Sequence, residues 1–489
     1  MPRLYTLFLV LMSVLPSAWA QRPAGWRTYA QAGGYVSSSG QTPFWLRANE
    51  WGTVPLAAPV GTARAGLFRA YRPADTTARR ARIDWGVGVE VVGNGARGTT
   101  SGVLLPEAYA KVRFGRLELW GGRRREIIGL VDSTLSSGSY IVSGNALPVP
   151  KVQLGFADYV SLPFLRDAVA VKGFVAHGWF NVPYIQRALW HQKAVYLRFG
   201  RSTAPVQVQV GLNHQVQWAG EADYLRNTPV AVNGKLTRDL TDFLTGVLLA
   251  RNGKEWENDR LTSFDGANRV GNHLGTTDIA VTLRRPAATW LLYHQHPYDD
   301  ATGVIWQNVP DGLYGLSWQP RRPTGNGRWQ WRRAVVEWLT TKDQSGSTFD
   351  QDGTRFKGAD NYFNHGQYIE GWSYYGKAIG TPLLMPRTEI SYAGKGGLFF
   401  PNNRVSVFYA GLELLAGTAT LRSRLSYSRN FGSYSLPFPD VPTQFSGLAQ
   451  LSWPLRSLPG LQLTTALAVD RGALIRNSVG GYVGLRYGN

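Results

Sequence analysis

The chain has 489 residues, room for about three average domains or one large body of a single architecture. It has no cysteine, which excludes disulfides, zinc–thiolate sites, iron–sulfur clusters and cysteine nucleophiles. Lys+Arg 52 against Asp+Glu 32 gives a net charge of +20, and with 10 Lys the other 42 cations are Arg. Charged residues make up only 17%, against roughly 25% in a soluble globular protein. With 56 Gly, 18 Trp and 12% aromatics, the chain is too aromatic for disorder and too rich in Gly and Trp for a helical bundle. A β-protein with many turns is expected.

Residues 1–20 read as an export signal. Arg3 gives the positive start, Leu4 to Leu15 the apolar stretch, and Ala18-Trp19-Ala20 a small-x-small cleavage site before Gln21. Removing it takes one Arg away (52 − 1 = 51, against 32 acids) and leaves +19. Export argues against nucleic acid as a partner. No later run of 18 apolar residues exists, so no membrane-spanning helix is expected. A soluble secreted β-protein and an outer-membrane barrel both fit so far.

Thr42-Pro43, then Phe44 to Trp51, then Gly52 predict a short helix with Thr as N-cap, Pro in the first turn and Gly past the end. Residues 21–80 are expected to form an N-terminal periplasmic or plug segment with this short helix, and 81–489 an outer-membrane β-barrel. Strict alternation starts with Trp85, Val87, Val89 and Val91 against Asp84, Gly86, Gly88 and Glu90. Leu117 to Trp120 predict a strand, and Val195, Leu197 and Phe199 continue the pattern. From Val206 to Trp218 an apolar face (Val206, Val208, Val210, Leu212, Val216, Trp218) opposes an amide-rich one (Gln207, Gln209, Asn213, Gln215, Gln217).

Thirteen residues is long for a globular strand of about 5–6. A tilted strand crossing a bilayer needs about 9–11, apolar outward and polar inward, so length favours the barrel. Trp218, at the end of its run, is expected in an interfacial aromatic girdle. Segments 421–427 and 461–470 alternate likewise, and Val479 to Tyr487 end the chain on a strand, as closure against the first strand requires. Stretches 219–236, 251–272, 342–367 and 430–444 are expected as long loops.

Chemistry-bearing residues fall into three groups. Arg123-Arg124-Arg125 follow a strand and offer planar forks for carboxylate or phosphate; the plainer reading is a lumenal ladder pairing with Glu107, Glu118 and Glu126. His294-x-His296 and His273 invite a metal or catalytic reading, but no third ligand has recognisable spacing, and the Ser133–Ser143 stretch has no nucleophile elbow. No metal or cofactor is expected. Residues 361–383 mix Tyr368, Trp372, Tyr374 and Tyr375 with Asn361, Gln367 and Glu370. That composition suits a glycan, with aromatic faces for C–H surfaces and amides for hydroxyls, and it also suits an interfacial girdle.

Several passages together resemble the Wzi capsule-assembly family of Gram-negative outer membranes. They are Thr42-Pro43-Phe44-Trp45-Leu46-Arg47-Ala48-Asn49 with Gly52; Gly122 to Glu126; Leu135 to Ser139 leading to Ser143-Gly144-Asn145-Ala146-Leu147-Pro148; Asn272-His273-Leu274-Gly275; and Gly371-Trp372-Ser373-Tyr374 with Ile379 to Leu383. The resemblance spans essentially the mature chain. It implies an all-β, transmembrane antiparallel barrel of about 18 strands with a small N-terminal helical element, and a lectin-like, non-enzymatic role in holding capsular polysaccharide.

The expected function is thus a barrel that binds or organises acidic capsular or surface polysaccharide, embedded in outer-membrane lipid as a monomer. Glycan contacts are expected at Trp372, Tyr374, Tyr375, Tyr368, Asn361, Arg123, Arg124 and Arg125. The rival is an anion-selective diffusion porin using the same arginines. A third class is a barrel enzyme with His273 or His294 as base.

Overall fold

Alternation with period 2 gives each strand one apolar and one polar face, and only a closed cylinder hides the polar one from lipid without leaving an edge. The computed structural model describes residues 25–72, 83–96, 102–251, 259–299, 301–322, 329–348 and 358–488. Its strands begin with β1 (Trp26–Ser37), β2 (Val60–Arg69), β3 (Ile83–Ala96), β4 (Gly102–Phe114), β5 (Leu117–Arg123) and β6 (Lys151–Phe156, carried on by Val160–Ser161). Next come β7 (Val169–Trp179), β8 (Leu189–Phe199), β9 (Val206–Trp218), β10 (Asn272–Arg284), β11 (Ala288–Tyr298) and β12 (Gly312–Pro320). The last six are β13 (Trp329–Thr340), β14 (Val405–Ala416), β15 (Ala419–Asn430), β16 (Thr443–Pro454), β17 (Leu461–Gly472) and β18 (Ser478–Gly488).

Each strand pairs antiparallel with the next, and β18 returns to β1 with Tyr482 opposite Tyr35 and Leu485 opposite Ala32. The result is a closed 18-strand antiparallel barrel, as expected. Among the described residues no helix is long and apolar enough to cross a membrane.

The faces sort as the pattern requires. Trp85, Val89 and Val91 of β3 are exposed on the outside, while Asp84 and Glu90 are buried inside. Exposed apolar side chains continue round the wall through Val175, Leu212, Leu292, Phe408, Leu467 and Val483. In water so wide an apolar belt would be sticky; against lipid it is the ordinary barrel surface. Glycines inside strands have a packing reason. Gly315 lies opposite Tyr293, and a Cβ there would meet the tyrosine ring at 2.1 Å.

The two ends differ. At one, several strands join by short turns, as between Phe114 and Leu117 or Ala416 and Ala419, and the described termini lie there too. At the other, the connections 38–59, 124–150, 219–271 and 341–404 are long. Connections 38–59 and 124–150 and residues 358–404 turn inward and share one apolar core that includes Phe44, Trp45, Leu135, Tyr140, Tyr362 and Trp372. Near this loop end the lumen-facing Gln217, Asn272, Asn430, Gln444 and Asp470 are buried, whereas Arg27 and Arg486 at the turn end are exposed. The lumen is plugged above and wet below.

Four expectations need correction or placement. Residues 21–80 are not a segment apart from the barrel, because β1 and β2 are wall strands and only 38–59 enters the plug. β1 escaped notice because its outward row is Ala30, Ala32, Gly34 and Val36, mostly too small to mark a face. The helix is one turn, Phe44–Arg47, since Asn49 (φ 58°), Trp51 (φ 57°) and Gly52 (φ 64°) are left-handed. Thr42 is not its cap; Pro43 holds that position and the Phe44 N–H donates instead to Asp470 Oδ2 of the wall (2.9 Å).

Trp218 is not in a girdle. It is buried with Val216 because residues 240–248 lie over the outer wall there, Phe243 packing 5.0 Å from the indole with Val247 beside it. The export signal at 1–20 lies outside the described residues.

Candidate functional site

The plug is held to the wall by side chains whose spacing carries no local motif. In the first connection, Trp45 Nε1 donates to Ser426 Oγ (3.0 Å) and its ring packs 5.3 Å from Tyr409. Arg47 pairs with Glu389 of the third connection, and Lys377 Nζ reaches the other oxygen of that carboxylate at 2.6 Å. Burial alone would raise the Glu389 pKa, but the Arg47 guanidinium and the Lys377 ammonium overcome it and hold the carboxyl at about 2.

The serine-rich second connection is a fastening strip rather than a nucleophile site. Asp132 Oδ1 accepts the backbone N–H groups of Thr134 and Leu135, and Oδ2 binds Ser317 (2.6 Å) and Arg333 (2.5 Å) of the wall. Ser136 Oγ and the Ser137 N–H donate to the buried carboxylate of Glu337 at 2.6 and 2.8 Å. The Tyr140 N–H donates to Gln295 Oε1 (2.9 Å), and the Leu130 N–H to Asp278 Oδ2 (2.7 Å).

The third connection contains most of the residues expected to touch glycan, and most are in the plug core. Trp372 is fully buried, its Nε1 donating to Ile141 O (2.8 Å) and its indole 5.0 Å from that of Trp190. Tyr368 is fully buried and donates to Ala219 O (2.9 Å). Tyr374 is buried against Phe180 at 5.2 Å. A ring with both faces packed cannot stack on a sugar, so these three are corrected from contacts to core. Asn361 is half-buried, its Oδ1 accepting from Asn403 (2.6 Å) and Asn364 (2.9 Å). Tyr375 stands apart: it is half exposed.

Of the three consecutive arginines, Arg124 and Arg125 follow the ladder reading. Arg124 pairs with Glu118 (2.7 Å), and Arg125 with Glu90 (2.5 Å) and more loosely with Glu107 (3.8 Å). Glu126 is taken by Lys151 (2.8 Å). Arg123 Nη2 donates to the buried Tyr374 hydroxyl (3.2 Å). The structure does not gather them with Trp372 into one open surface.

The three candidate histidines sit on the outer wall. His294 and His296 share a face, as expected, but His296 stacks on Trp306 at 4.4 Å and is held by Asn308 Oδ1 (2.7 Å). His273 Nδ1 lies 2.9 Å from His214 Nε2. Among the described residues no group of three or more His, Cys, Asp or Glu could hold a metal.

What sequence reading missed is a cationic–aromatic cluster on the loop-end rim. Lys342 and Arg429 are exposed and Arg404 half-buried. Lys342 Nζ lies 4.8 Å and Arg429 5.7 Å from the Phe431 ring, and Arg404 stacks 3.8 Å from the Tyr434 ring. Arg404 Nε donates to Lys342 O (3.1 Å), and Tyr434 OH to Asp343 O (2.8 Å). The cluster draws on the connections after β13 and β15 and on the end of β15. Its only sequence signal was that 342–367 and 430–444 read as long loops. Chemically it presents positive charge and guanidinium forks to solvent, with Asp343 the nearby carboxylate.

The chain is similar in fold to Escherichia coli Wzi, described as an outer membrane protein involved in group 1 capsule assembly and as a carbohydrate-binding β-barrel. The TM-score is 0.56 at 16% identity, covering 98% of this chain and 87% of that one. Pseudomonas aeruginosa OccK10 (TM-score 0.46, 9% identity, 95% and 98% covered) and OprD (0.45, 7%, 95% and 93%) are more distant. At these identities the likeness is one of fold. No family model matches the chain, and no curated protein matches it in sequence.

Proposed function

We propose that this protein is a plugged outer-membrane barrel, not an enzyme, that binds acidic capsular or surface polysaccharide at its loop end. The observation that carries the reading is the cluster of Lys342, Arg404 and Arg429 on the loop-end rim of a barrel whose lumen is filled by packed side chains. Outer-membrane barrels place short turns inside the cell envelope and long loops outside, which turns this rim toward the surface. A polymer with a carboxylate on each repeat meets several cations at once, and weak contacts add along it. Tyr375, half exposed, remains available as a stacking face. The fold likeness to a barrel described as carbohydrate-binding supports the ligand class.

The test is binding of alginate against neutral dextran by the detergent-solubilised protein and by its K342Q/R404Q/R429Q variant. Selective alginate binding that falls about tenfold in the variant, roughly 1.4 kcal/mol, is expected; equal binding of both polymers rejects the reading. The porin reading makes a separate demand, a steady conductance in planar bilayers at neutral pH, and the packed plug argues against it.

A further inference from the structure

Below the plug, on the side of the wet turn-end lumen, lies a cavity of about 240 Å³ whose lining includes Asn49, Glu50, Arg64, Arg125, Arg422 and Arg424. Two of its arginines are spoken for: Arg125 pairs with Glu90 and Glu107, and Arg422 with Glu413 (2.6 Å). The other two have no acid partner, Arg64 lying beside the Tyr35 hydroxyl. Among the described residues, neither Arg64 nor Arg424 has a carboxylate within ion-pair distance, and the Nε of each is buried without an acceptor. Arg424 only lies near the Trp45 ring, at 5.8 Å. Glu50 shares the lining but forms no ion pair with Arg64.

Asn49 supplies the complementary acceptor. Its Nδ2 donates to Ser137 O (2.7 Å), which fixes the amide, and its Oδ1 is buried with no donor facing it. Leaving a buried polar atom unmet costs about 1–3 kcal/mol. The cavity therefore holds two guanidinium Nε–H groups without acceptors and an amide oxygen without a donor. Its polar walls (Ser133, Thr134, Ser136, Ser139) exclude an apolar guest.

We infer that this chamber binds a small hydroxylated carboxylate of the sugar-acid class, its carboxylate on Arg64 and Arg424 and a hydroxyl on Asn49 Oδ1. Guanidinium forks match carboxylate oxygens in pairs, and a hydroxyl beside the carboxylate supplies the missing donor. The volume lies below the roughly 300–1,000 Å³ of drug-sized sites, so it takes a unit of one sugar ring rather than a chain. Entry is from the turn end, where Arg27 and Arg486 are exposed. The site does not depend on the rim reading, since the plug separates the two.

The test is titration of the full chain in lipid nanodiscs with galacturonate, galactose and inorganic phosphate by calorimetry. Galacturonate is expected to bind saturably and galactose not to bind. The R64Q/R424Q variant should weaken galacturonate about tenfold, whereas K342Q/R404Q/R429Q at the rim leaves it unchanged. Should the double variant fail to fold, judged by heat-modifiable gel migration, R424K and N49A carry the test, each expected to weaken binding about threefold. Absence of galacturonate binding, equal affinity in the chamber variants, or phosphate binding as tightly as galacturonate overturns the inference. Loss of rim binding with chamber binding intact would reject only the proposed function.

Discussion

Arg47 and Glu389 stand 342 positions apart in the chain and form one buried ion pair inside the barrel, with Lys377 on the second carboxylate oxygen. The pair ties the first plug connection to the third, so plug integrity is linked to the protonation of Glu389. Its pKa is held at about 2 in the folded state, below the roughly 4.3 of a free glutamate. The unfolded chain thus binds more protons, and the stabilisation is complete above the unfolded value and lost as pH falls from there toward about 2. The difference corresponds to about 3 kcal/mol. Planar-bilayer recordings should be silent at neutral pH and show openings as pH drops through that window. E389Q, which leaves the buried Arg47 and the half-buried Lys377 without a carboxylate, should open at neutral pH, since breaking a buried pair costs about 3–5 kcal/mol. A silent E389Q channel would show that the plug does not depend on this contact.

Trp372 is the strongest aromatic in the sequence for a sugar-binding reading and the clearest case of core in the structure. Replacing it with Ala removes a fully buried indole and its hydrogen bond to Ile141 O. A loss of about 3–5 kcal/mol in plug stability is expected. In detergent, thermal unfolding should shift down and protease should reach 361–383, while alginate affinity measured below the transition stays within about twofold of the parent. A large affinity loss with no change in protease susceptibility would return Trp372 to the binding surface.

Barrel and closure were legible because period 2 sustained over twelve or thirteen residues is a pattern that hardly any fold but a membrane-spanning barrel requires. Val206 to Leu212 and Val479 to Leu485 sit on the faces their alternation assigned. The plug was not legible in the same way. Asp470 capping the Phe44 N–H and Glu337 holding Ser136 and Ser137 are contacts across 426 and about 200 positions, and no local pattern encodes them. The aromatic-rich 361–383 stretch misled for a physical reason: a plug core inside a polar lumen needs the same Trp, Tyr and Asn that a sugar site needs. The rim cluster escaped because its cations are scattered singly among Lys342, Arg404 and Arg429 and become neighbours only when β13, β14 and β15 pair.

Gly315 tests the packing logic of the wall. Tyr293 from β11 lies across it, donating its hydroxyl to Glu337 Oε1 (2.5 Å), so the ring is not free to move aside. Gly315→Ala would force the ring away from that carboxylate, costing about 1–3 kcal/mol by overpacking. The G315A protein should show a lower thermal midpoint and a smaller folded fraction on unheated gels. Gly93, beside which nothing lies within 4 Å, should tolerate alanine with no such change.

The rim reading differs from aromatic stacking in its response to salt. Lys342 and Arg429 are exposed, so their attraction for a polyanion acts through water and is screened. Raising sodium chloride from about 0.1 M to about 1 M shortens the screening length from roughly 10 Å to roughly 3 Å, which should weaken alginate binding at least about tenfold. Stacking of a sugar on Tyr375 would scarcely change over the same range. In K342Q/R404Q/R429Q the residual affinity should therefore lose most of its salt dependence, and Y375A should lower affinity modestly while keeping the parent's slope. If the parent binds alginate equally well at both salt concentrations, charge on the rim is not what holds the polymer.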